Sequence, residues 1–357
     1  MSHMSFFLIN LHREVLMTGR RIRMVLWLFT IALLLSTGAG AAGAAPGYHQ
    51  AAKFTLGGEG GWDCLIYDPA GDRLFIAHNK AILVVAAADG KLLGEIPADR
   101  AHGVALVPDQ NRGFSSNGGA GTVTVFDLKT LKPIQDIKAG ENPDAILYDP
   151  HSKRVIVMNG RSHDLMVIDP ASLQVSATVP LGGKPEFAAS GSNHIYVNLE
   201  DTGEIVSVDA KSWKLEQRWK LAGCEEPSGL ALDDHRHRLF AACGNSKMFV
   251  VDSRDGQVVA QLPTGAGADG ASFDPGQKLA FSPNGEGTLT VVRQAKGGKY
   301  EVVENVATQR GARTLALDPR SHKIFLVTAE LGPPAEGQRR PSIVPGTFSL
   351  LVYATSK

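Results

Sequence analysis

From about residue 54 onward, apolar runs of four to six residues alternate with tight polar turns, and the same order returns about every 41 residues. Residues 142–182 show the unit. Pro143-Asp144 opens an apolar run at 145–148, which ends in the turn Asp149-Pro150. A second run at 154–158 closes on Asn159-Gly160, and a third at 165–168 closes on Asp169. A fourth, at 174–179, leads into Leu181-Gly182-Gly183. Runs this short, bounded by Asp-Pro, Asn-Gly and Gly-Gly, read as strands joined by turns, because those residues favour turn backbone and do not extend a helix. The Asp-Pro turn comes back at Asp68-Pro69, Asp274-Pro275 and Asp318-Pro319, with Asp233-Asp234 as a variant. Third strands end on Asp127, Asp169, Asp209 and Asp252, spaced 42, 40 and 43 residues apart, and third strands without aspartate lie at 82–85, 289–292 and 350–353. The count of units is seven.

A period near 40 with four short strands per unit predicts an all-β fold, a seven-bladed β-propeller of four-stranded blades. Blades should start near residues 62, 101, 143, 185, 227, 268 and 312, in a domain spanning 46–357. A β-helix is the competing repeat architecture, but its rungs are shorter. The seventh unit offers strands at 314–317, 323–328 and 348–353 and no fourth, whereas 48–57 precedes the first unit and reads as a fourth strand. The N-terminal strand is therefore expected to complete the last blade, leaving no open radial edge.

Composition adds little to the fold but narrows the partners. Glycine at 39 and proline at 19 of 357 residues suit a chain that turns often. Lysine plus arginine and aspartate plus glutamate number 36 each, so no global field draws the chain to nucleic acid or an anionic membrane. An aromatic content of 7% gives single-stranded nucleic acid few stacking platforms as well.

Residues 1–45 stand outside the repeat. Arg20, Arg21 and Arg23 lead into an apolar stretch at 24–35, and small residues follow at 36–45. Those are the three parts of a secretory signal peptide. The apolar stretch of 12 residues falls short of the roughly 20 needed to span a bilayer. Residues 1–16 precede this signal, and translation is expected to start at Met17. The expected location is periplasmic or secreted, with no membrane span after signal cleavage and an uncleaved anchor as the alternative. Of the three cysteines, Cys224 enters the fifth unit and Cys243 ends its second strand, so an oxidising compartment allows them to pair. Cys64 reads as a small, buried apolar residue.

Ile195-Tyr196-Val197-Asn198 nearly spells the tag of the YVTN-repeat propellers, also called YncE-like. Residues 155–183 and 195–209 resemble that family best, and the resemblance extends over about 54–353. It implies the propeller and little chemistry, since the family is more a scaffold than a single enzyme. Related seven-bladed proteins include lactonases and the large subunits of quinone-dependent amine dehydrogenases, so the likeness leaves a catalytic role open too.

In a propeller the first strand of each blade lines the central channel, and the residues entering it ring one mouth. Aligning the units there gives Asp63, His102, Asp144, Glu186, Ser228, Asp269 and Arg313. Four acids, an imidazole and a guanidinium suit a polar small molecule, and they form a donor set for a divalent cation. Crowded acids raise one another's pKa, and Arg313 can hold a carboxylate bidentately. The competing reading makes these acids turn-formers that accept backbone N–H bonds at strand entries.

Other recurrent residues look structural. Asn79, Asn117, Asn159, Asn198, Asn245 and Asn284 are expected to serve turns through left-handed backbone, and the third-strand aspartates to order the next turn. His78 is expected to be a solvated loop residue. The insertion 331–346, with Pro333, Pro334, Arg339, Arg340, Pro341 and Pro345, interrupts the last blade. It is either a cover over the channel mouth, a partner contact, or plain surface decoration.

The chain carries no Gly-x-Ser-x-Gly, phosphate-binding glycine loop, His-Glu-x-x-His or Cys-x-x-Cys-His. The expected function is therefore an exported, monomeric binding scaffold for a small polar ligand or a protein partner at the channel face. The alternative is a channel-site enzyme, a lactonase-like hydrolase or one resembling a quinone-linked dehydrogenase.

Overall fold

In the computed structural model, which describes residues 45–334, 337 and 341–356, the chain is a seven-bladed β-propeller. The expected signal segment and the expected Met17 start lie outside the described residues, as do Arg339 and Arg340 of the insertion. Among the described residues there are seven four-stranded antiparallel sheets and one two-stranded hairpin. Blade 1 runs from channel to rim as Leu65–Asp68, Arg73–His78, Ala81–Ala86 and Leu92–Pro97. Blade 3 repeats the order with Pro143–Asp149, Arg154–Asn159, Asp164–Asp169 and Gln174–Pro180. In blade 7, Leu315–Asp318, Lys323–Thr328 and Ser349–Thr355 are joined on the outside by Tyr48–Thr55, which pairs antiparallel from Tyr48 with Thr355 to Thr55 with Ser349, with a one-residue shift between Gln50 and Ala52. Among the described residues no helix is long and apolar enough to cross a membrane.

The two middle strands of each blade are apolar nearly throughout because both of their faces are interfaces. Successive side chains on a strand point to opposite sides. Leu74 and Ile76 pack toward blade 7 with Phe325 and Val327, while Phe75 and Ala77 pack toward blade 2 with Val104 and Phe126. Blade 3 divides likewise: Val155 and Val157 meet blade 2, and Ile156 and Met158 meet Ile195 and Val197 of blade 4. Each such side chain contributes roughly 1.5–3 kcal/mol on burial, so the core is a ring of seven interfaces rather than one centre.

Aspartates hold the turns. Asp149 accepts the backbone N–H groups of His151 and Ser152, at 3.1 and 3.0 Å, and Asp274 accepts those of Gly276 and Gln277. Asp127, Asp169, Asp209 and Asp252 likewise accept turn N–H groups after the third strands. These bonds hold the Asp127 carboxyl below the usual range. The recurrent asparagines are structural by a different route from the one expected. Of the six, Asn79 alone has left-handed backbone, at φ 50°. Asn117, Asn159 and Asn284 end second strands and donate their amides to Thr124, Asp164 and Thr290 on the next strand.

Hydrogen bonds also cross every junction between blades, close to the channel. Cys64 N–H donates to His102 O at 3.0 Å, Asn198 Nδ2 to Ser228 O at 3.1 Å, and Ser228 Oγ to Ala268 O at 2.8 Å. Asp269 N–H donates to Arg313 O, Thr314 Oγ1 to Asp63 O, Ser116 Oγ to Asp144 O, and Ser190 Oγ to Asp149. Main-chain atoms of Asp63, His102, Asp144, Ser228, Asp269 and Arg313 are thereby fixed to the neighbouring blades.

Candidate functional site

The backbone departs from regular pairing where the ring residues sit. In blades 2 to 5 the inner strand pairs at its first residue, skips, and resumes three residues later: Ala101 to Val104, Pro143 to Ile146, Pro185 to Ala188 and Pro227 to Leu230. His102, Asp144, Glu186 and Ser228 lie in those gaps. A bulge releases a side chain from the pleat and re-aims it. Just before the ring, Arg100, Asn142, Glu226, Gly267 and Gly311 all adopt left-handed backbone, two positions ahead of the ring residue. For Arg100, Asn142 and Glu226 this conformation costs free energy, of the kind that collects at functional sites.

Three ring residues meet directly. His102 Nδ1 lies 2.6 Å from Asp63 Oδ2 and 3.5 Å from Asp144 Oδ1. Across the hub, Arg313 Nε donates to Asp269 Oδ2 at 2.7 Å, and Lys184 Nζ lies 3.5 Å from Glu186 Oε2 while also bonding Glu200. Unlike the turn aspartates, none of the carboxylates of Asp63, Asp144, Glu186 and Asp269 accepts a backbone N–H among the described residues. Their oxygens face one another and the basic side chains instead. The turn-forming reading therefore finds no support here.

Electrostatics follow from this crowding. Burial, reinforced by the charge of Asp144 and only partly offset by Lys184, pushes the Glu186 carboxyl up to about 9. Burial and the charge of Asp63 push Asp269 up to about 6, against the pull of Arg313. Asp144 is raised by burial and Asp63, with His102 opposing. Burial disfavours a charged His102, but the hydrogen bond it donates to Asp63 and the charge of Asp144 outweigh that and raise the imidazole. Five carboxylates, counting Glu200, thus share the hub with Lys184, Arg313, Arg100 and His102, and of the carboxyls Glu186 is the one pushed above neutral pH.

The cavity at the mouth measures about 500 Å³. Trp62, Asp63, His102 and Arg313 line it on the ring side, and Leu331, Pro341 and Ile343 on the other. These last three belong to a hairpin within the insertion, Leu331–Pro334 with Pro341–Ile343. Below the ring, a second cavity of about 210 Å³ is walled by Cys64, Gly103, Val104, Ala145, Ile146, Phe187 and Leu230. The site is polar at its rim and apolar in its shaft.

Several side chains differ from expectation. Ser228 is buried and its hydroxyl is spent on the Ala268 carbonyl, so it ties blade 5 to blade 6. A serine is too short to reach both the next blade and the channel. His78 is not solvated: only 7% exposed, it stacks on Phe348 with centroids 4.3 Å apart, and burial lowers its pKa. Cys64 is only half-buried, lines the shaft, and donates its thiol to Asp63 Oδ1 at 3.7 Å. Burial and the nearby carboxylates push that thiol well up. Cys224 and Cys243 form a disulfide, with Cα atoms 5.5 Å apart.

Sequence reasoning overlooked Arg100, Asn142 and Lys184. Arg100 Nη2 donates to Asn142 Oδ1 at 2.7 Å, and Asn142 Nδ2 donates to Asp144 Oδ2 at 3.2 Å. All three stand two residues ahead of a ring position, where other units carry Gly61, Gly267 and Gly311. A column mixing glycine with polar residues was the available signal.

No family model matches this chain, and no curated protein sequence does. Among solved structures, hydrazine synthase of Kuenenia stuttgartiensis is similar with a TM-score of 0.65 at 18% identity, over 74% of this chain and 92% of that one. U3-55K is similar with a TM-score of 0.69 at 10% identity, over 86% of this chain and 99% of that one. At such identities the likeness speaks for the fold and not for the chemistry, and what the chain shares with both proteins is the β-propeller.

Proposed function

We propose that this protein is an exported binding scaffold that takes a small polar ligand at the channel mouth. The observation that carries the reading is the cavity where Asp63, His102 and Arg313 face an apolar wall made by the insertion hairpin. A concave site of this size, with a few convergent polar groups and shifted pKa values, is what small-molecule recognition requires. The Cys224–Cys243 disulfide supports an oxidising compartment and hence export. The near-YVTN tag at Ile195 to Asn198 supports kinship with scaffold propellers of that kind.

The test is a thermal-shift panel of small carboxylates, amines, sugars and phosphates. A ligand at a hundred times its Kd adds about 2.7 kcal/mol to the folded state. The reading expects a shift with at least one class in the wild type, and loss of that shift in Asp63→Asn and His102→Gln. A panel with no shift, or shifts that survive both substitutions, overturns it.

A second reading, a lactonase-like hydrolase, is favoured by Glu186. A carboxyl held protonated at neutral pH beside a water-accessible hub is suited to general-acid work. Turnover of simple lactones that disappears in Glu186→Gln would replace the scaffold reading with this one. Nothing in the geometry favours a quinone-linked dehydrogenase.

A further inference from the structure

We propose that the channel mouth holds a divalent first-row transition-metal ion on His102 Nδ1, Asp63 and Asp144. The inference deepens the small-ligand reading and rests on it for the ion's purpose, because an ion with open positions gives a polar ligand its anchor.

The geometry comes first. One donor atom from each of the three residues lies within 4.8 Å of the other two. Metal–ligand bonds of about 2.0–2.2 Å place neighbouring donors roughly 3.0–3.5 Å apart. Nδ1 already sits 2.6 and 3.5 Å from the two carboxylates, and the carboxylate oxygens, within 4.8 Å of each other, close on the ion by side-chain rotation. The three residues come from three blades, 39 and 42 positions apart, so no local turn requires them to converge.

Each donor is also held from behind by a residue outside the set. Cys64 Sγ–H bonds Asp63 Oδ1, leaving Oδ2 toward the imidazole. Asn142 bonds Asp144 Oδ2, leaving Oδ1 toward the imidazole, and Arg100 holds Asn142 in turn. On the far side of the ring, Gly118 fits so closely that a Cβ there would lie 2.6 Å from His102 Nε2. The bonds to Asp63 and Asp144 are of the kind that orient metal ligands and tune their basicity, while His102 is held by close packing and its Nε2 has no hydrogen-bond partner among the described residues. Turn aspartates in this chain have a different environment, with backbone N–H groups on their oxygens.

Charge and donor type set the class of ion. The hub holds more carboxylates than cationic groups, and a dication offsets that surplus where protons otherwise must. One nitrogen and two oxygens suit zinc, cobalt or manganese, whereas calcium prefers six to eight oxygen ligands. Three protein donors leave coordination positions for an oxygen of the bound molecule. When the ion binds, the imidazolium gives its Nδ1 proton to solvent and coordinates as the neutral ring with a proton on Nε2, and no electron is transferred.

The experiment uses the whole secreted chain, stripped with a chelator and dialysed against cobalt(II), zinc(II) or manganese(II). The expected result is one equivalent of metal by elemental analysis, with visible d–d absorption for the cobalt form. His102→Gln and Asp144→Asn should abolish that equivalent, with circular dichroism reporting an intact fold. Asn142→Gly, which keeps the left-handed backbone and removes only the supporting amide, should weaken binding by about ten- to a hundredfold. Less than a tenth of an equivalent of every ion, or binding unchanged in His102→Gln and Asp144→Asn, overturns the proposal. Repeating the thermal-shift panel on stripped protein separates the two readings. Ligand shifts that persist without metal overturn the ion's anchoring role and leave the scaffold standing. Metal bound at one equivalent with no ligand shift supports the ion site and removes the scaffold.

Discussion

Glu186 should weaken the fold that carries it. Its carboxyl ordinarily titrates near 4.5 but is pushed up to about 9 in the hub, chiefly by burial and then by Asp144. Between those values the folded state keeps a proton that the unfolded chain has released. The unfolded state binds fewer protons, so stability falls as pH rises through this window. At 1.36 kcal/mol per pH unit, the loss from pH 4.5 to pH 7 is about 3 kcal/mol. Glutamine has nearly the same shape and no proton to lose. Glu186→Gln should match the wild type near pH 4 and exceed its stability by about 3 kcal/mol at pH 7. The gap should widen until about pH 9 and then level off. Urea unfolding of chelator-treated protein at pH 4, 7 and 8.5 reads this directly. Parallel pH profiles for the two proteins, or a variant less stable at pH 8.5, would refute the reasoning.

Two further outcomes follow from separate parts of the molecule. Cys224 and Cys243 close a loop of 19 residues, so the Cys224→Ala, Cys243→Ala pair should lose about 3 kcal/mol, measured as a lower urea midpoint that a reductant no longer moves. Gly118→Ala should displace the imidazole of His102, whose Nε2 edge a Cβ would crowd, and cost about 1–3 kcal/mol by overpacking; an unchanged histidine chemical shift with unchanged stability would contradict that.

Much of this structure was legible in the sequence because each blade repeats the same local chemistry. Asp149-Pro150 and its counterparts mark the first turn, and Asp169 and its counterparts mark the third-strand end; both roles are fulfilled by short-range bonds to backbone N–H groups. The ring positions could be aligned for the same reason, and three of them, Asp63, His102 and Asp144, meet. What could not be read depends on reach across a junction. Whether Ser228 turns to the channel or to Ala268 is decided by the neighbouring blade. His78 looked like a loop residue because Phe348, its stacking partner, lies 270 positions away. Arg100, Asn142 and Lys184 act through side chains that arrive from left-handed or irregular backbone, which has no signature in a pattern of apolar and polar positions.

Under the proposed function the channel mouth is a recognition site rather than a solvated dimple. A crystallographic fragment screen addresses it most directly. Polar fragments should concentrate between Asp63, His102, Arg313 and the hairpin residues Leu331 and Ile343. Fragments found only on other surfaces, with nothing but water at the mouth, would contradict it.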